Sequence, residues 1–373
     1  MRPYRVLHFP GEMTRGGVES LIMSWYRNID RNDIQFDFCV PRFERGPLDD
    51  EIESLGGRIL RCHRIRGKGV FSFVLEVCSL IKENGPYDAV HIHGVHSGVF
   101  SLIAAYLAGV SKRIYHSHST QNLVLRNTLF RKTQEWLFSI LINKFSTVRL
   151  ACSKPAVQFV FSDHTFTVIT NGIDIERFTP YSLERRLDLR RQLNIPEESI
   201  VIGNIARFVE GKNQDLITAI VEYWVHNKGQ NIFGLFVGDG PKKDGIIRWC
   251  EEHQIEKFVS FTGNRSDTED LYNCMDVFCL PSDFEGLGIV AIEAQACGVP
   301  CLVSLGIPEE ANMKCVPFEM HDLSESIETW SNNLEVLAKT PKVSENVIRE
   351  SILNKGYSFS QSLRAIIEIY QCQ

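Results

Sequence analysis

Two carboxylates and two cations of this chain stand where their neighbours could put them to chemical use. Glu285 lies in a loop read over Pro281–Leu287, and Glu293 follows eight residues later among Ile289, Val290, Ala291, Ile292, Ala294 and Ala296. A carboxylate in so apolar a run is costly if buried alone, so a hydrogen-bond donor must meet it. The backbone N–H groups of Gly286, Leu287, Gly288 and Ile289 stand at a helix start and offer a site for an anion or for sugar hydroxyls. Arg207 and Lys212 flank Gly211 at the entrance of a helix read from Gln214. Two cations and a helix dipole acting on one group suit a diphosphate.

Other readings of the same residues stay open at this level. Gly286-Leu287-Gly288-Ile289-Val290-Ala291 matches the dinucleotide pattern G-x-G-x-x-A between a strand and a helix, although that pattern normally opens a domain instead of closing one. Glu293 also reads as a satisfied structural carboxylate, and Glu285 as a solvated loop residue. His91, His93 and His96 form H-x-H-x-x-H, but no carboxylate or thiol stands nearby in sequence to complete a metal site. His116-Ser117-His118-Ser119 ends a strand, where an imidazole can hydrogen-bond a sugar or hold a hydroxyl.

The elements that would position these groups alternate between strand and helix. Strands are expected at Tyr4–Phe9, Ile34–Val40, Arg58–Cys62, Ala89–His93, Arg113–Tyr115, Thr147–Cys152 and Thr167–Ile169. A second set is expected at Ile200–Ile205, Ile232–Val237, Phe258–Thr262, Val277–Leu280 and Cys301–Ser304. Such alternation implies parallel sheets covered on both faces, with ligands at the carboxyl ends of the strands. The helix after Glu285 spans Gly288–Cys297, with Gly298 as its left-handed stop and Pro300 beyond. Past Ser304 the chain reads as helical and ends in a helix over Phe359–Tyr370. Tyr181–Ile195 is polar, arginine-rich and without a strand, so it reads as a linker. The expected layout is residues 1–180 as a first domain, 181–195 as linker, 196–356 as a second domain, and 357–373 as a helix crossing back to the first.

Composition sets the class. The chain has 373 residues, enough for two domains, and 44% hydrophobic with 23% charged residues is the balance of a globular protein with full cores. No apolar run is long enough to span a bilayer, and the start, too short and interrupted, is not that of a signal peptide. Eleven cysteines without a C-x-x-C pair argue for a reducing, cytoplasmic setting and against a disulfide framework. A net charge of −6 gives no reason to expect nucleic-acid binding. One basic stretch, Arg58, Arg61, His63, Arg64, Arg66 and Lys68, precedes Val70, Phe71, Phe73 and Val74, a pattern that fits an anionic membrane surface or equally a solvated loop leading into a packed helix.

Glu285 and Glu293, with Gly286, Ala294, Gly298 and Pro300 in register, resemble the E-x7-E signature of the family 4 retaining glycosyltransferases. The run from Pro281 to Ser304 is most similar to members that build bacterial capsular polysaccharides and exopolysaccharides. Arg207 and Lys212 match that family's R-x4-K, Gly238-Asp239-Gly240-Pro241 its G-x-G-P corner, and Asn171-Gly172-Ile173-Asp174 the element that closes its first domain. The resemblance implies the GT-B fold: α/β, two Rossmann-like domains whose parallel sheets face across an interdomain cleft. It further implies a nucleotide-diphosphate sugar as donor, UDP before GDP, and a saccharide or lipid-linked saccharide as acceptor. It implies, too, that no cofactor or metal is required and that the protein acts in the cytoplasm, at or near the inner membrane.

The same resemblance assigns roles. Arg207 and Lys212 hold the diphosphate and stabilise it as it leaves, Glu285 grips sugar hydroxyls, and Glu293 takes the ribose hydroxyls. Gly17, in the glycine pair with Gly16, faces the diphosphate and the acceptor, and His118 lies near the donor sugar. Gly238 forms the corner, Asn264 and Arg265 lie where the base is held, and the main chain of Gly286, Leu287, Gly288 and Ile289 completes the donor site. Two rival readings remain: a nucleotide-sugar epimerase of related fold, and a non-catalytic subunit that binds a nucleotide sugar.

Overall fold

Runs such as Val6–Phe9 and Ile232–Val237 carry a buried side chain at every position, which only a strand covered on both faces can use. A computed structural model describes residues 2–13, 17–94, 97–118, 129–153, 157, 166–229 and 231–372. Gly16, His96, Ser119 and the Lys68 side chain lie outside the described residues. The chain forms two units, Met1–Gly172 with Ser360–Gln373, and Ile173–Phe359.

The first unit runs β1 (Tyr4–Phe9), α1 (Gly17–Asn28), β2 (Ile34–Val40), α2 (Asp49–Ser54), β3 (Ile59–Arg61), α3 (Ile65–Lys68) and α4 (Val70–Asn84). It continues with β4 (Ala89–His93), α5 (Ser97–Leu107), β5 (Lys112–Ser117), α6 (Leu129–Phe145), β6 (Val148–Ala151) and β7 (Thr167–Val168). The strands form one parallel sheet in the order β3-β2-β1-β4-β5-β6-β7.

The second unit holds α7 (Leu183–Gln192), β8 (Ile200–Ile205), α8 (Gln214–Asn227), β9 (Ile232–Val237), α9 (Lys243–Glu252), β10 (Val259–Phe261) and α10 (Thr268–Cys274). It then adds β11 (Val277–Leu280), α11 (Ile289–Ala296), β12 (Cys301–Ser304), β13 (Phe318–His321), α12 (Ile327–Ala338) and α13 (Glu345–Asn354). Its sheet is again parallel, in the order β10-β9-β8-β11-β12-β13. The last helix, α14 (Phe359–Gln371), buries Ser362, Ile366 and Tyr370, one face at helical spacing, and contributes to the first unit from Ser360 onward. Trp25 Nε1 donates to Ser362 Oγ at 3.2 Å, and Lys112 Nζ donates to the carbonyls of Ile369 and Tyr370 at 3.0 Å each.

Two sequence expectations need correction. The stretch read as a linker, 181–195, is mostly helix α7, which starts at the Ser182 cap and belongs to the second unit. Arg185 and Arg191 are exposed, but Arg190 is 6% exposed and donates to the Cys274 carbonyl at 2.8 Å and to Asp276 Oδ2 at 2.7 Å. The region past Ser304 is not wholly helical, because β13 pairs in parallel with β12, Val303 opposite Met320. β13 is an edge strand whose residues are half-buried or exposed, so no apolar run marks it.

The basic stretch after β2 is largely neutralised. Arg58 pairs with Asp37 at 2.8 Å, Arg61 with Asp49 at 2.7 Å and His63 with Glu76 at 2.8 Å, while Arg64 pairs with Glu12.

Candidate active site

In the second unit the loops leaving the carboxyl ends of β8, β9, β10 and β11 are tied together by their backbones. Ala206 N–H donates to Val237 O (3.1 Å), Phe208 N–H to Asp239 O (3.0 Å), Gly238 N–H to Gly263 O (2.9 Å) and Asp283 N–H to Gly211 O (2.9 Å). Gly238 has φ +131°, and a Cβ on it would lie 2.1 Å from the Ala206 carbonyl oxygen, so only glycine allows these turns to meet.

This stitched edge brings Lys212 to Glu285. Lys212 Nζ forms an ion pair with Glu285 Oε1, and Ser282 Oγ donates to the same oxygen at 2.8 Å. Both ion-pair side chains are largely covered, with 20% and 17% of their surface exposed. Asn213, in the left-handed region at φ 51°, starts α8 and braces the two loops by donating to Pro281 O (2.9 Å) and Asp283 Oδ1 (2.6 Å). Arg207 is exposed and forms no ion pair among the described residues. The sequence reading of two cations free for one anion is therefore modified: Lys212 already neutralises Glu285, and Arg207 is the cation without a carboxylate.

Gly288, at φ 77°, turns the chain sharply into α11. The N–H groups of Gly286, Leu287 and Gly288 enter no backbone hydrogen bond among the described residues. The Leu287 side chain sits in the core at 4% exposure, so this residue can offer a ligand only its main chain. Ile289 is the first residue of α11. Asn264 and Arg265 are exposed on the turn after β10, with Arg265 Nε donating to Asp267 Oδ1 at 2.8 Å.

The donor that Glu293 demanded is Tyr272 on α10. Its hydroxyl donates to Glu293 Oε2 at 2.8 Å, and the tyrosine is wholly buried. Burial pushes the Glu293 carboxyl up to about 7, against the Tyr272 hydrogen bond and the charge of Arg177. Neither Tyr272 nor Ser282 carries a local sequence pattern that singles it out.

Gly17 and His118 belong to the first unit. Gly17 is the exposed first residue of α1, and open space surrounds the position of its absent Cβ. His118 follows β5, is half-buried, and has its Nε2 2.9 Å from His93 Nδ1. Burial pushes its imidazole down to about 3. His93 also lines a cavity of about 500 Å³ whose walls include Phe9, Phe73 and Phe138, with Arg64 and Arg66 among its polar residues.

Residues 185–337 match the family model described as glycosyl transferases group 1, and residues 15–177 match that of glycosyltransferase family 4. The Bacillus subtilis protein EpsF, a glycosyltransferase by name, is 33% identical over 371 residues, 98% of this chain and 96% of its own. The capsular polysaccharide biosynthesis glycosyltransferase CapH of Staphylococcus aureus is 27% identical over 350 residues, 91% of this chain and 92% of its own. An Escherichia coli UDP-Gal:alpha-D-GlcNAc-diphosphoundecaprenol alpha-1,3-galactosyltransferase is 28% identical over 282 residues, 72% of each chain. Among solved structures, Anabaena HepE in complex with UDP and glucose superposes with a TM-score of 0.78 at 19% identity, over 98% of both chains. With a Rossmann-like parallel sheet in each unit, an α/β fold of the GT-B type, and family matches on both halves, the chain belongs to glycosyltransferase family 4.

Proposed function

We propose that this protein transfers a sugar from a nucleotide-diphosphate sugar, with a UDP-sugar favoured, to a lipid-linked saccharide in cell-surface polysaccharide synthesis, retaining the anomeric configuration and requiring no metal. The observation that carries this reading is the Lys212–Glu285–Ser282 cluster beside the N–H groups of Gly286–Gly288 at the strand ends of the second sheet. Glu285, fixed in place by Lys212 and Ser282, grips sugar hydroxyls. Arg207, Lys212 and the loop N–H groups supply fixed positive potential where a diphosphate leaves. The sequence has no Asp-x-Asp triplet of the kind that would hold a divalent cation for that task. Glu293 accepts the ribose hydroxyls, with Tyr272 aligning its carboxyl group.

UDP is favoured because HepE was solved with UDP and glucose and the Escherichia coli relative is named for UDP-Gal. That relative's acceptor is carried on diphosphoundecaprenol, and the first unit's cavity, with apolar walls and with Arg66 beside the Arg64–Glu12 pair, suits an amphipathic acceptor. No helix among the described residues is long and apolar enough to cross a membrane, while Phe71, Leu75 and Trp136 are exposed and offer a surface contact. The cysteines are free, Cys39 Sγ and Cys62 Sγ lying unbonded 3.8 Å apart, in keeping with the cytoplasmic side.

Thermal unfolding with UDP, GDP, ADP, their sugar conjugates and NAD tests the donor site. A ligand at about a hundred times its dissociation constant adds roughly 2.7 kcal/mol. One nucleotide diphosphate is expected to stabilise the wild type but not Lys212→Ala or Glu293→Ala; stabilisation by NAD alone would restore the dinucleotide reading. Transfer from the stabilising donor that persists in chelator separates this proposal from a non-catalytic subunit, and an acceptor-independent change in the donor's sugar would mark an epimerase.

A further inference from the structure

The turn that leaves β12 lies against the loop that carries Glu285. Ser304, the last residue of β12, is wholly buried, and its Oγ donates to the carbonyl of Ser282. Gly306 O accepts the Glu285 N–H at 3.1 Å. A Cβ on Gly306 would lie 2.1 Å from the Asp283 carbonyl oxygen and 2.7 Å from that of Ser282. Ile307 is 2% exposed, and a Cβ on Gly288 would come within 3.2 Å of its side chain. Every one of these residues lies within the second unit, Ile173–Phe359.

The turn is itself anchored. Ile307 N–H donates to Ser304 O at 3.1 Å and closes it, and Leu305 N–H donates to His321 O on β13 at 2.9 Å. Edge strand β13 therefore supports the turn from the sheet. Gly306 does not stand in the left-handed region, so its conformation suits any residue, and only the closeness of the Glu285 loop demands a glycine. From the other side the loop after β8 grips the same stretch, with Gly211 O accepting from Asp283 N–H and Lys212 paired to Glu285. Residues 282–285 are thus held between two neighbouring strand-end loops, one of which supplies a charge and the other backbone, a hydroxyl and shape.

We propose that the turn 304–307 positions Glu285: Ser304 fixes the carbonyl at one end of the segment and Gly306 fixes the Glu285 N–H at the other, both acting through that residue. The use of the carboxylate so placed rests on the transferase reading; its placement by this turn does not. The two contacts differ in weight. A carbon 2.1 Å from a carbonyl oxygen is about 1 Å short of the nearest approach such atoms make, so a methyl on Gly306 drives the segment back by about that distance, and a misplacement of that size costs on the order of 10²-fold in rate. Removing the Ser304 hydroxyl releases one end and leaves the other tied, a loss of about tenfold.

The test pairs amide hydrogen exchange of the full-length protein with transfer assays. In Ser304→Ala and in Gly306→Ala the amides of Asp283 and Glu285 should exchange about tenfold faster or more, while those of β8 and β11 keep their wild-type rates. Unchanged exchange at Asp283 and Glu285 overturns the proposal, and equal acceleration across β8 and β11 does so too, because it makes the turn a support of the whole sheet. In transfer, kcat should fall about tenfold in Ser304→Ala and on the order of 10²-fold in Gly306→Ala. Added to Glu285→Ala, the same changes should cost less than about twofold further, since they act through a carboxylate already gone; losses that multiply in full overturn the proposal. Ser304→Ala inserts no atom, so it carries the test if Gly306→Ala does not fold. Exchange needs no turnover: acceleration confined to Asp283 and Glu285 in a protein without transferase activity refutes the transferase reading and leaves the turn's hold on Glu285 standing.

Discussion

Lys212 and Glu285 meet in an ion pair that spans the loops after β8 and β11, and Ser282 donates to the same carboxylate oxygen. The pair makes the two residues one unit: removing the ammonium takes away the carboxylate's counter-charge, and removing the carboxylate frees the ammonium. Lys212→Ala is expected to lower kcat on the order of 10²- to 10³-fold. Lys212→Ala combined with Glu285→Gln should lose little more than the worse single variant, because residues acting together are not additive. Steady-state transfer by the four proteins decides this, and fully multiplicative losses would mean independent roles.

Arg207 offers the opposite profile. It is exposed and forms no ion pair among the described residues, so Arg207→Ala should change stability by no more than about 0.5 kcal/mol. Transfer should nevertheless fall mainly through kcat, as expected of a charge that acts on the leaving diphosphate. A variant with wild-type kcat would remove Arg207 from the site.

Glu293 ties stability to pH in a defined direction. Its carboxyl is raised from 4.5 to about 7 in the folded protein, so between those values the folded chain holds a proton that the unfolded chain has released. The associated stability is complete below pH 4.5 and is lost as pH rises through 7. Glu293→Gln abolishes this loss and should be the more stable protein at pH 8, by about 3 kcal/mol at most. Nucleotide binding should run the other way, tightening in the wild type from pH 6 to 8 as the carboxylate forms and staying flat in Glu293→Gln. Denaturant titrations and calorimetric binding across that range read both effects.

Two glycines separate fold from ligand. Gly238→Ala drives a methyl into the Ala206 carbonyl at a positive φ and should cost at least about 2 kcal/mol. Gly17→Ala meets nothing within 4 Å and should leave the unfolding midpoint unchanged. If a diphosphate or acceptor approaches the start of α1, the same methyl will raise KM, and normal kinetics for Gly17→Ala would move the ligand elsewhere.

The alternation of strands and helices was legible because burial on both faces forces apolar runs, and the strands that carry the site fall within a residue or two of their expected places. Glu285 and Glu293 were legible because a loop, a glycine and a helix start leave local marks. Ser282 sits three residues before Glu285 in the same loop, where a serine is too common to stand out, whereas Tyr272 matters through proximity across the fold, 21 residues from the carboxylate it serves. Lys212 looked like an anion-binding cation because its nearest charge, Glu285, is 73 residues away. Arg190 of α7 misled for a similar reason, since composition cannot show that Asp276 and the Cys274 carbonyl receive it. The histidines were visible as H-x-H pairs, but that His91 stands opposite His8 depends on β1 lying beside β4, a result of chain crossover.

The return of α14 to the first unit inverts the order in which a ribosome delivers finished parts. Trp25 and Lys112 wait for partners 337 and 257 residues downstream, whereas the second unit is one continuous span, Ile173–Phe359. The nascent chain therefore completes its later half before its earlier one. Until the final helix emerges, the sheet face that bears His8 and His91 lacks Tyr370, and water has access to imidazoles that the finished protein keeps dry and neutral. A released chain ending at Phe359 would thus hold a complete second unit and a first unit still open, with the imidazoles of His8 and His91 no longer kept dry by Tyr370.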